Sequence, residues 1–271
     1  MNRLTPILEA RREAVAAARH ALPLEALRDR LPLAPAFRDF AGALRAPGLG
    51  VIAEVKRRSP SAGTLAGDAD AGATARRYAD AGAAAISVLT EPDHFGGALE
   101  DLEIVRDAQT APVLRKDFVV DPYQLVEARA AGADAVLLIV AALGEALQDY
   151  LGRTAEAGLD ALVEVHDEAE LRVALDAGAP VIGVNNRNLT DLSVDLAVCE
   201  RLLPQIPPAT VKVAESGIHS GADAARMSDA GADAVLVGTS LMTAEKPGAL
   251  IAEFRAQGGI ARRAFVRSEA A

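Results

Sequence analysis

The sequence has one cysteine, Cys199, and no tryptophan among its 271 residues. A single cysteine forms no disulfide within the chain, which is typical of proteins from a reducing compartment. Long hydrophobic runs are missing too, since the longest, Ala135 to Leu143, is too short to cross a bilayer. Charged residues near the N-terminus interrupt any hydrophobic core of a secretory signal. These absences predict a cytoplasmic protein.

Basic residues are in the minority, with 28 Lys and Arg against 38 Asp and Glu and a formal net charge of -10. This balance argues against general affinity for nucleic acid or for an anionic membrane. The four histidines show no spacing typical of metal ligands, so we expect no metal site. The expected partner is a small molecule, and the chain is expected to be a monomer, with a dimer as the alternative.

The sequence does contain a repeated segment. "AGADAVLL" at 131–138 returns as "AGADAVLV" at 230–237, and less similar copies begin at Ala81 and Ala177. In each copy a helical stretch stops at a glycine, which suits the left-handed conformation just past a helix end. Two residues later an apolar run begins that is rich in β-branched residues and too short for a helix. The repeated segment therefore indicates the end of a helix, a turn and a strand.

Further apolar runs between the repeats bring the predicted strands to eight, beginning near residues 50, 84, 112, 134, 160, 180, 210 and 234. Strands that alternate with helices pair in parallel, and nearly continuous apolar character is typical of strands covered on both faces. The sequence therefore predicts an α/β fold, a (β/α)8 TIM barrel over residues 49–271. A doubly wound open sheet is the main alternative, weakened because no G-x-G-x-x-G follows any strand.

Residues 1–48 lie outside this alternation. The pair Thr5-Pro6 predicts the start of a helix, and Leu8, Val15 and Leu22 then share one apolar helical face. We expect an N-terminal helical extension packed on the barrel within a single domain overall. It would serve either as a structural cap or as a lid over the active end.

Charged residues occur at strand positions that are predicted to face the apolar interior of the barrel. Side chains two residues apart on a strand share a face, and catalytic groups in this fold lie at the carboxyl ends of the strands. The polar residues that share a face with inward apolar residues near these ends are Glu54, Lys56, Lys116, Glu164, Asn185 and Glu215. A single charged residue at a strand end can be a solvent-exposed residue at the rim of the barrel. Six polar residues together favour general acid–base catalysis, because buried charges need partners and shift one another's pKa.

Two short stretches have the composition of an anion cradle. "ESGI" places Ser216 and Gly217 after the seventh strand, and "VGTSLM" places Gly238 and Thr239 after the eighth. Glycine permits close backbone approach, and the loops after these two strands are the usual phosphate site of a (β/α)8 barrel. Arg187, after the sixth strand, adds a candidate bidentate contact to an anion. Each stretch alone also fits an ordinary turn, but both in these positions indicate a phosphate site.

Several motifs carry a family resemblance. "IAEVKRRSPSAG", "SVLTEPDHFGG", "VLRKDFVVDPYQ", "IGVNNRNL", "KVAESGI" and "VLVGTSLM" resemble the indole-3-glycerol phosphate synthase family, in order, from about residue 5 to 245. The resemblance implies a decarboxylating carbon–carbon lyase of tryptophan biosynthesis that uses no metal or organic cofactor. Such an enzyme closes the pyrrole ring of 1-(2-carboxyphenylamino)-1-deoxy-D-ribulose 5-phosphate, losing carbon dioxide and water to form indole-3-glycerol phosphate. We expect no fused isomerase barrel in the chain.

The resemblance also implies a role for each site residue. Lys116 would be the general acid on the substrate carbonyl, Glu164 the general base, and Lys56 would bind the carboxylate and assist dehydration. The later proton transfers could be divided among Lys56, Glu54 and Glu164 in more than one way. Desolvation and the proximity of Lys56 would lower the pKa of Lys116. The other residues would orient these groups (Glu54, Asn185, Glu215), line the aromatic pocket (Ser59, Phe95, Phe118, Leu137) and hold the phosphate (Arg187, Ser216, Gly217, Gly238, Thr239).

Two other functions are weighed against this one. A different phosphate-sugar barrel enzyme, such as phosphoribosylanthranilate isomerase, would need a catalytic cysteine at a strand end, whereas Cys199 lies in a predicted helix. A non-catalytic phosphate-binding barrel would be favoured by the loss of Lys116 or Glu164, and both are present. His166, close to Glu164, is interpreted as a polar residue with ordinary hydrogen bonds.

Overall fold

A computed structural model describes residues 4–60 and 63–269, with side chains described up to residue 259. Its main element is a closed barrel of eight parallel strands, which confirms the predicted (β/α)8 fold and excludes an open sheet. The barrel strands are β1 (Gly50–Val55), β4 (Ala85–Leu89), β5 (Val113–Lys116), β6 (Ala135–Ile139), β7 (Asp160–Val165), β8 (Val181–Asn185), β9 (Val211–Glu215) and β10 (Ala234–Val237). A hairpin of β2 (Arg58–Ser59) and β3 (Gly63–Thr64) follows β1.

Helices alternate with the strands. They are α1 (Leu4–Ala21), α2 (Leu24–Arg28), α3 (Phe40–Leu44), α4 (Ala71–Asp80), α5 (Pro92–Phe95), α6 (Glu100–Ala108), α7 (Tyr123–Ala130), α8 (Val140–Leu143), α9 (Leu147–Glu156), α10 (Glu168–Asp176), α11 (Ala197–Leu202), α12 (Gly221–Asp229), α13 (Thr239–Thr243) and α14 (Pro247–Glu269), with 3-10 turns at Leu31–Leu33, Gly144–Ala146 and Leu203–Gln205. Of the helices in the described ranges, none combines the length and the apolar character that crossing a membrane requires.

The repeated segment lies at helix ends, as predicted. Its glycines all have positive φ, a conformation that a side chain disfavours: Gly82, Gly132, Gly178 and Gly231. The strand after each glycine has two buried faces, because alternate side chains point into the barrel and out towards the helices. In β1, for example, Ile52 packs in the barrel interior, whereas Val51 and Ala53 pack in the outer layer. This explains the nearly continuous apolar runs.

The segment before β1 closes the amino-terminal end of the barrel. Phe40 and Leu44 of α3 are fully buried and belong to the same cluster as the inward residues of the strands. The backbone amide of Ala41 donates to Asp160 Oδ2 at 2.9 Å, which fixes α3 against the start of β7. Burying two large apolar side chains contributes on the order of 3–6 kcal/mol, so α3 acts as a plug.

Helix α1 lies at the opposite end of the barrel, where Leu4 and Ile7 line the main cavity. Leu8 and Val15 are buried on its inner face, as their spacing predicted. Thr5-Pro6 was predicted to start the helix, and both residues lie within α1, whose described part begins at Leu4. Proline is tolerated close to a helix start because the first amides of a helix have no intrahelical acceptor.

A buried ion pair fastens α1 to the barrel. Arg11 donates to both oxygens of Asp117, at 2.8 and 2.6 Å, and Asp117 also accepts from Arg115 and Thr90. Burial alone would raise the pKa of Asp117, but Arg115 and Arg11 outweigh it and hold that pKa below its ordinary value. Because Asp117 directly follows Lys116, α1 is tied to the strand that carries the candidate acid.

We expect Arg11→Ala to lower the free energy of unfolding by about 1–3 kcal/mol, since Asp117 loses one of its two cationic partners. The substrate KM should rise as well, because α1 lines the cavity. Urea unfolding and steady-state kinetics measure the two effects. Arg12→Ala, at an exposed neighbour on the same helix, is the control and should change stability by less than about 0.5 kcal/mol. Equal effects of the two substitutions would contradict a role for the ion pair.

Candidate active site

The inner wall of the barrel carries a layer of charged residues at the carboxyl ends of alternate strands. Glu54, Lys116, Glu164 and Glu215 come from β1, β5, β7 and β9 and face one cavity. The three glutamates are 4%, 2% and 1% exposed, so their charges depend on neighbouring groups rather than on water. Layers contributed by alternate strands are the normal packing of this fold, but they are normally apolar.

Two lysines supply the positive charge. Lys116 Nζ lies 3.2 Å from Glu164 Oε2 and 3.6 Å from Glu215 Oε2. Lys56, one residue beyond β1, places Nζ 2.8 Å from Glu54 Oε1. Three carboxylates thus share two ammonium groups. Burial and the negative charge of Glu164 raise the pKa of Glu215, which favours its neutral form.

The pKa of Lys116 differs from the prediction. Burial alone would lower it, but the carboxylates, Glu164 foremost, outweigh burial and raise the pKa of Lys116 above its ordinary value. The expected depression is therefore wrong, and Lys116 is an ammonium ion at neutral pH. Lys56, the neighbour that was expected to repel Lys116, is itself paired with Glu54.

A cavity of about 890 Å³ opens above the charged layer. The structure brings all the candidate catalytic and substrate-binding residues from the sequence to its lining: Glu54, Lys56, Ser59, Phe95, Lys116, Phe118, Leu137, Glu164, Asn185, Arg187, Glu215, Ser216, Gly217, Gly238 and Thr239. The rings of Phe95 and Phe118 have centroids 6.2 Å apart and are tilted by 43°, so they offer an aromatic wall after β4 and β5. Within the described part of the chain, no group of three or more His, Cys, Asp or Glu is placed to hold a metal ion.

The turn after β9 has an unusual backbone. Ser216 and Gly217 both have positive φ, 66° and 80°, which is uncommon for a residue with a side chain. Asn186 stabilises the turn, because its Nδ2 donates to the carbonyl of Ser216 at 3.0 Å. Sequence reasoning missed Asn186, which has no motif of its own. Buried positions of this kind are visible only once neighbouring strands are known.

The loops after β8 and β10 complete the rim of the cavity. Gly238 lies so close to β1 that a Cβ atom there would overlap the Glu54 carboxylate and lie 2.9 Å from Lys56 Nζ. Arg187 uses Nη1 to donate to the carbonyl of Leu192 at 3.0 Å, so it also stabilises its own loop. Burial lowers the pKa of Arg187. The missing side chain of Gly238 therefore lets this loop lie against the charged layer.

Gly183 is a second residue that sequence reasoning missed. It pairs with Glu164 in the register of β7 and β8, and a methyl group at this position would overlap Glu215 Oε1. The missing side chain thus makes room for the Glu215 carboxyl group. The signal was present, because a glycine inside an apolar run often marks a close approach.

Cys199 does not take part in this arrangement. It is buried in α11, where Sγ donates to the carbonyl of Val184 at 3.3 Å, and it does not line the cavity. Burial raises the pKa of its thiol, which suppresses the reactive thiolate. The site therefore lacks the cysteine that the isomerase alternative requires.

The fold and the cavity together define a (β/α)8-barrel enzyme with acid–base groups on the inner wall and glycine-rich turns suited to an anion at the rim. The sequence matches the indole-3-glycerol phosphate synthase family over residues 4–254. The indole-3-glycerol phosphate synthase of Parafrankia sp. is 52% identical over 254 residues, which cover 93% of this chain and 95% of that one. That of Streptomyces griseus subsp. griseus is 51% identical over 259 residues, covering 95% and 96%. The chain belongs to the indole-3-glycerol phosphate synthase family.

The likeness to solved structures concerns the fold alone. The 3-hexulose-6-phosphate synthase of Salmonella typhimurium has a TM-score of 0.62 and 16% identity, covering 80% of this chain and all of that one. The family match, by contrast, spans most of the sequence. It confirms the predicted class, a decarboxylating lyase of tryptophan biosynthesis, over the isomerase and the non-catalytic barrel.

Proposed function

We propose that the chain converts 1-(2-carboxyphenylamino)-1-deoxy-D-ribulose 5-phosphate into indole-3-glycerol phosphate through the charged layer at the carboxyl ends of its strands. One observation carries the assignment of roles. The Lys116 ammonium group is held between Glu164 and Glu215 on the wall of the cavity, with Lys56 and Glu54 in the same layer. A proton donor and an anionic acceptor thus face one space.

Ring closure needs an acid. The ring carbon that bears the carboxyl group attacks the ketone carbon, and the ketone oxygen takes the electron pair of its double bond. Lys116 donates a proton to this oxygen. Its raised pKa is no obstacle, because a developing alkoxide is a far stronger base than an amine. Carbon dioxide then leaves from the ring carbon, and the electrons of the broken bond restore aromaticity.

Loss of water needs both an acid and a base. The new hydroxyl group leaves with a proton from Lys56, and the neighbouring methylene carbon loses a proton to Glu164. Burial alone would raise the pKa of Glu164, but Lys116 and His166 outweigh it and lower that pKa, so Glu164 is anionic. Glu54 holds Lys56 at 2.8 Å, while Asn185 and Glu215 orient the sugar hydroxyls and Lys116.

The two ends of the substrate need different surroundings. Phe95, Phe118, Leu137 and Ser59 surround the aromatic ring, whereas the phosphate lies on the backbone of Ser216–Gly217 and Gly238–Thr239, with Arg187 nearby. The residues around the ring and those around the phosphate come from different strands, so the charged layer lies between the two groups.

The excess of acidic residues disfavours nucleic acid and membranes as partners, and we propose a cytoplasmic monomer. Light scattering of the purified protein tests the monomer.

A fluorescence assay tests the function. Purified protein is mixed with the carboxyphenylamino-deoxyribulose phosphate in the presence of a chelator, and indole emission is followed. The chain has no tryptophan, so its own background is low. An increase in indole emission supports the proposal. Folded protein that binds the substrate without producing indole would contradict it.

A further inference from the structure

His166 follows the end of β7 and turns its ring towards the charged layer. Nε2 lies 3.3 Å from Glu164 Oε1, and Nδ1 lies 2.9 Å from Glu170 Oε2 on α10. The side chain of His166 is only 12% exposed. The backbone amide of His166 also donates to Glu170 Oε2 at 2.8 Å, so Glu170 holds both the backbone and the ring. His166 is thus placed between an outer and an inner carboxylate.

This placement selects one protonation state of the ring. A neutral imidazole has one N–H and one lone pair, so it would turn the lone pair towards one of the two carboxylates. The imidazolium ion suits both neighbours, since Nδ1–H donates to Glu170, while Nε2, which makes no hydrogen bond to the described residues, lies beside the negative charge of Glu164 as an ion pair. Burial alone would lower the pKa of His166, but Glu164 and Glu170 outweigh it and raise that pKa to about 10. On its other side Glu164 is paired with Lys116 on β5, which in turn lies 3.6 Å from Glu215 on β9.

The two oxygens of Glu164 face different cations. Oε2 lies against Lys116 Nζ and Oε1 against His166 Nε2. Lys116 donates its proton in the proposed first step, and its positive charge beside Glu164 then disappears. His166 is on the other side and keeps its charge through that step. Glu164 therefore retains one cationic partner until it accepts a proton.

We propose that His166 is a positioning residue, held as an imidazolium ion by Glu170, which orients Glu164 and keeps it anionic after Lys116 has given up its proton. This inference rests on the proposed role of Glu164 as the base. It adds to the reaction a group that does not contact the substrate, and it assigns Glu170 the task of anchoring that group to α10.

Nitrogen-15 NMR of the histidine rings tests the protonation state without any assay of activity. At pH 8 the spectrum of the free protein should contain the signal of an imidazole with both nitrogens protonated, and His166→Gln should remove that signal. Glu164→Gln should lower the pKa of the His166 ring, whether or not the variant is active. A His166 ring that is neutral at pH 7 would overturn the proposal. Full activity of Glu164→Gln with the ring still charged would instead refute the role of Glu164.

Kinetics separate positioning from a merely structural role. His166→Gln keeps an amide donor but loses the charge, so kcat should fall about 10- to 100-fold while KM changes less than about threefold. The acidic limb of kcat/KM should move up by about one pH unit, because Glu164 loses a cation. Glu170→Gln should shift the limb in the same direction by a smaller amount.

Glu168→Gln is the matched control, since Glu168 lies on the same helix, is exposed and pairs with Arg201 outside the cavity. It should keep the kcat and the pH profile of the unaltered protein. If His166→Gln lowered kcat without moving the acidic limb, or if Glu168→Gln moved it equally, the positioning role would be wrong. Glu170→Gln keeps the test decisive if His166→Gln does not fold.

Discussion

Lys116→Ala is expected to lower kcat by about 1,000- to 10,000-fold, the upper part of the range for a general acid. The substitution removes both the proton donor and the positive charge next to the developing alkoxide. The fold should persist, because Glu215, whose pKa is already raised, can take up a proton once Lys116 is gone, and Glu164 keeps His166 as a cationic partner. Indole fluorescence measures the rate, and circular dichroism shows whether the variant is folded.

Two further variants show which property of Lys116 matters. Lys116→Arg keeps the charge but replaces the compact ammonium group with a longer, planar guanidinium that does not place an N–H at the same point, so kcat should remain at least about 100-fold below that of the unaltered protein. Lys246→Ala, at an exposed lysine that does not line the cavity, should leave the rate unchanged. Turnover by Lys116→Ala at the original rate would overturn the assignment of the acid. Full recovery in Lys116→Arg would reduce its role to electrostatics.

The fold was predictable because its signals are local. A glycine such as Gly132 or Gly231 ends a helix by its own backbone preference, and the apolar run that follows is long enough for a strand only. Alternation along each strand then places Lys116 and Glu164 on the inner face, whatever their neighbours are. Local signals of this kind therefore led to the barrel and to the lining of the cavity.

The pairing of charges was not predictable in the same way. Lys56 was expected to repel Lys116, but its closest partner is Glu54, and Lys116 instead meets carboxylates from β7 and β9. Which side chains meet depends on the stagger of strands that are far apart in sequence. The direction of a pKa shift depends on that pairing, so the prediction for Lys116 failed although its position was correct.

Gly183→Ala is the second substitution from which we expect a large effect. The new methyl group would overlap Glu215 Oε1 and lie 3.1 Å from Leu162 Cδ1 in a tightly packed barrel. We expect the free energy of unfolding to fall by about 1–3 kcal/mol, as for other overpacked interiors. We also expect kcat to fall about 10- to 100-fold, because a displaced Glu215 no longer holds Lys116 in place. Urea unfolding and indole fluorescence measure the two quantities.

A control and a double variant identify which contact is responsible. Gly152→Ala, in α9 with open space around the added methyl group, should leave stability unchanged or raise it by up to about 1 kcal/mol. Combining Gly183→Ala with Glu215→Ala removes the overlapping carboxyl group, so the cost of the alanine at 183 should be smaller in the Glu215→Ala background, by about 1 kcal/mol or more. An undiminished cost would place the conflict at Leu162. Gly183 would then shape the core of the barrel and not the carboxylate that contacts Lys116.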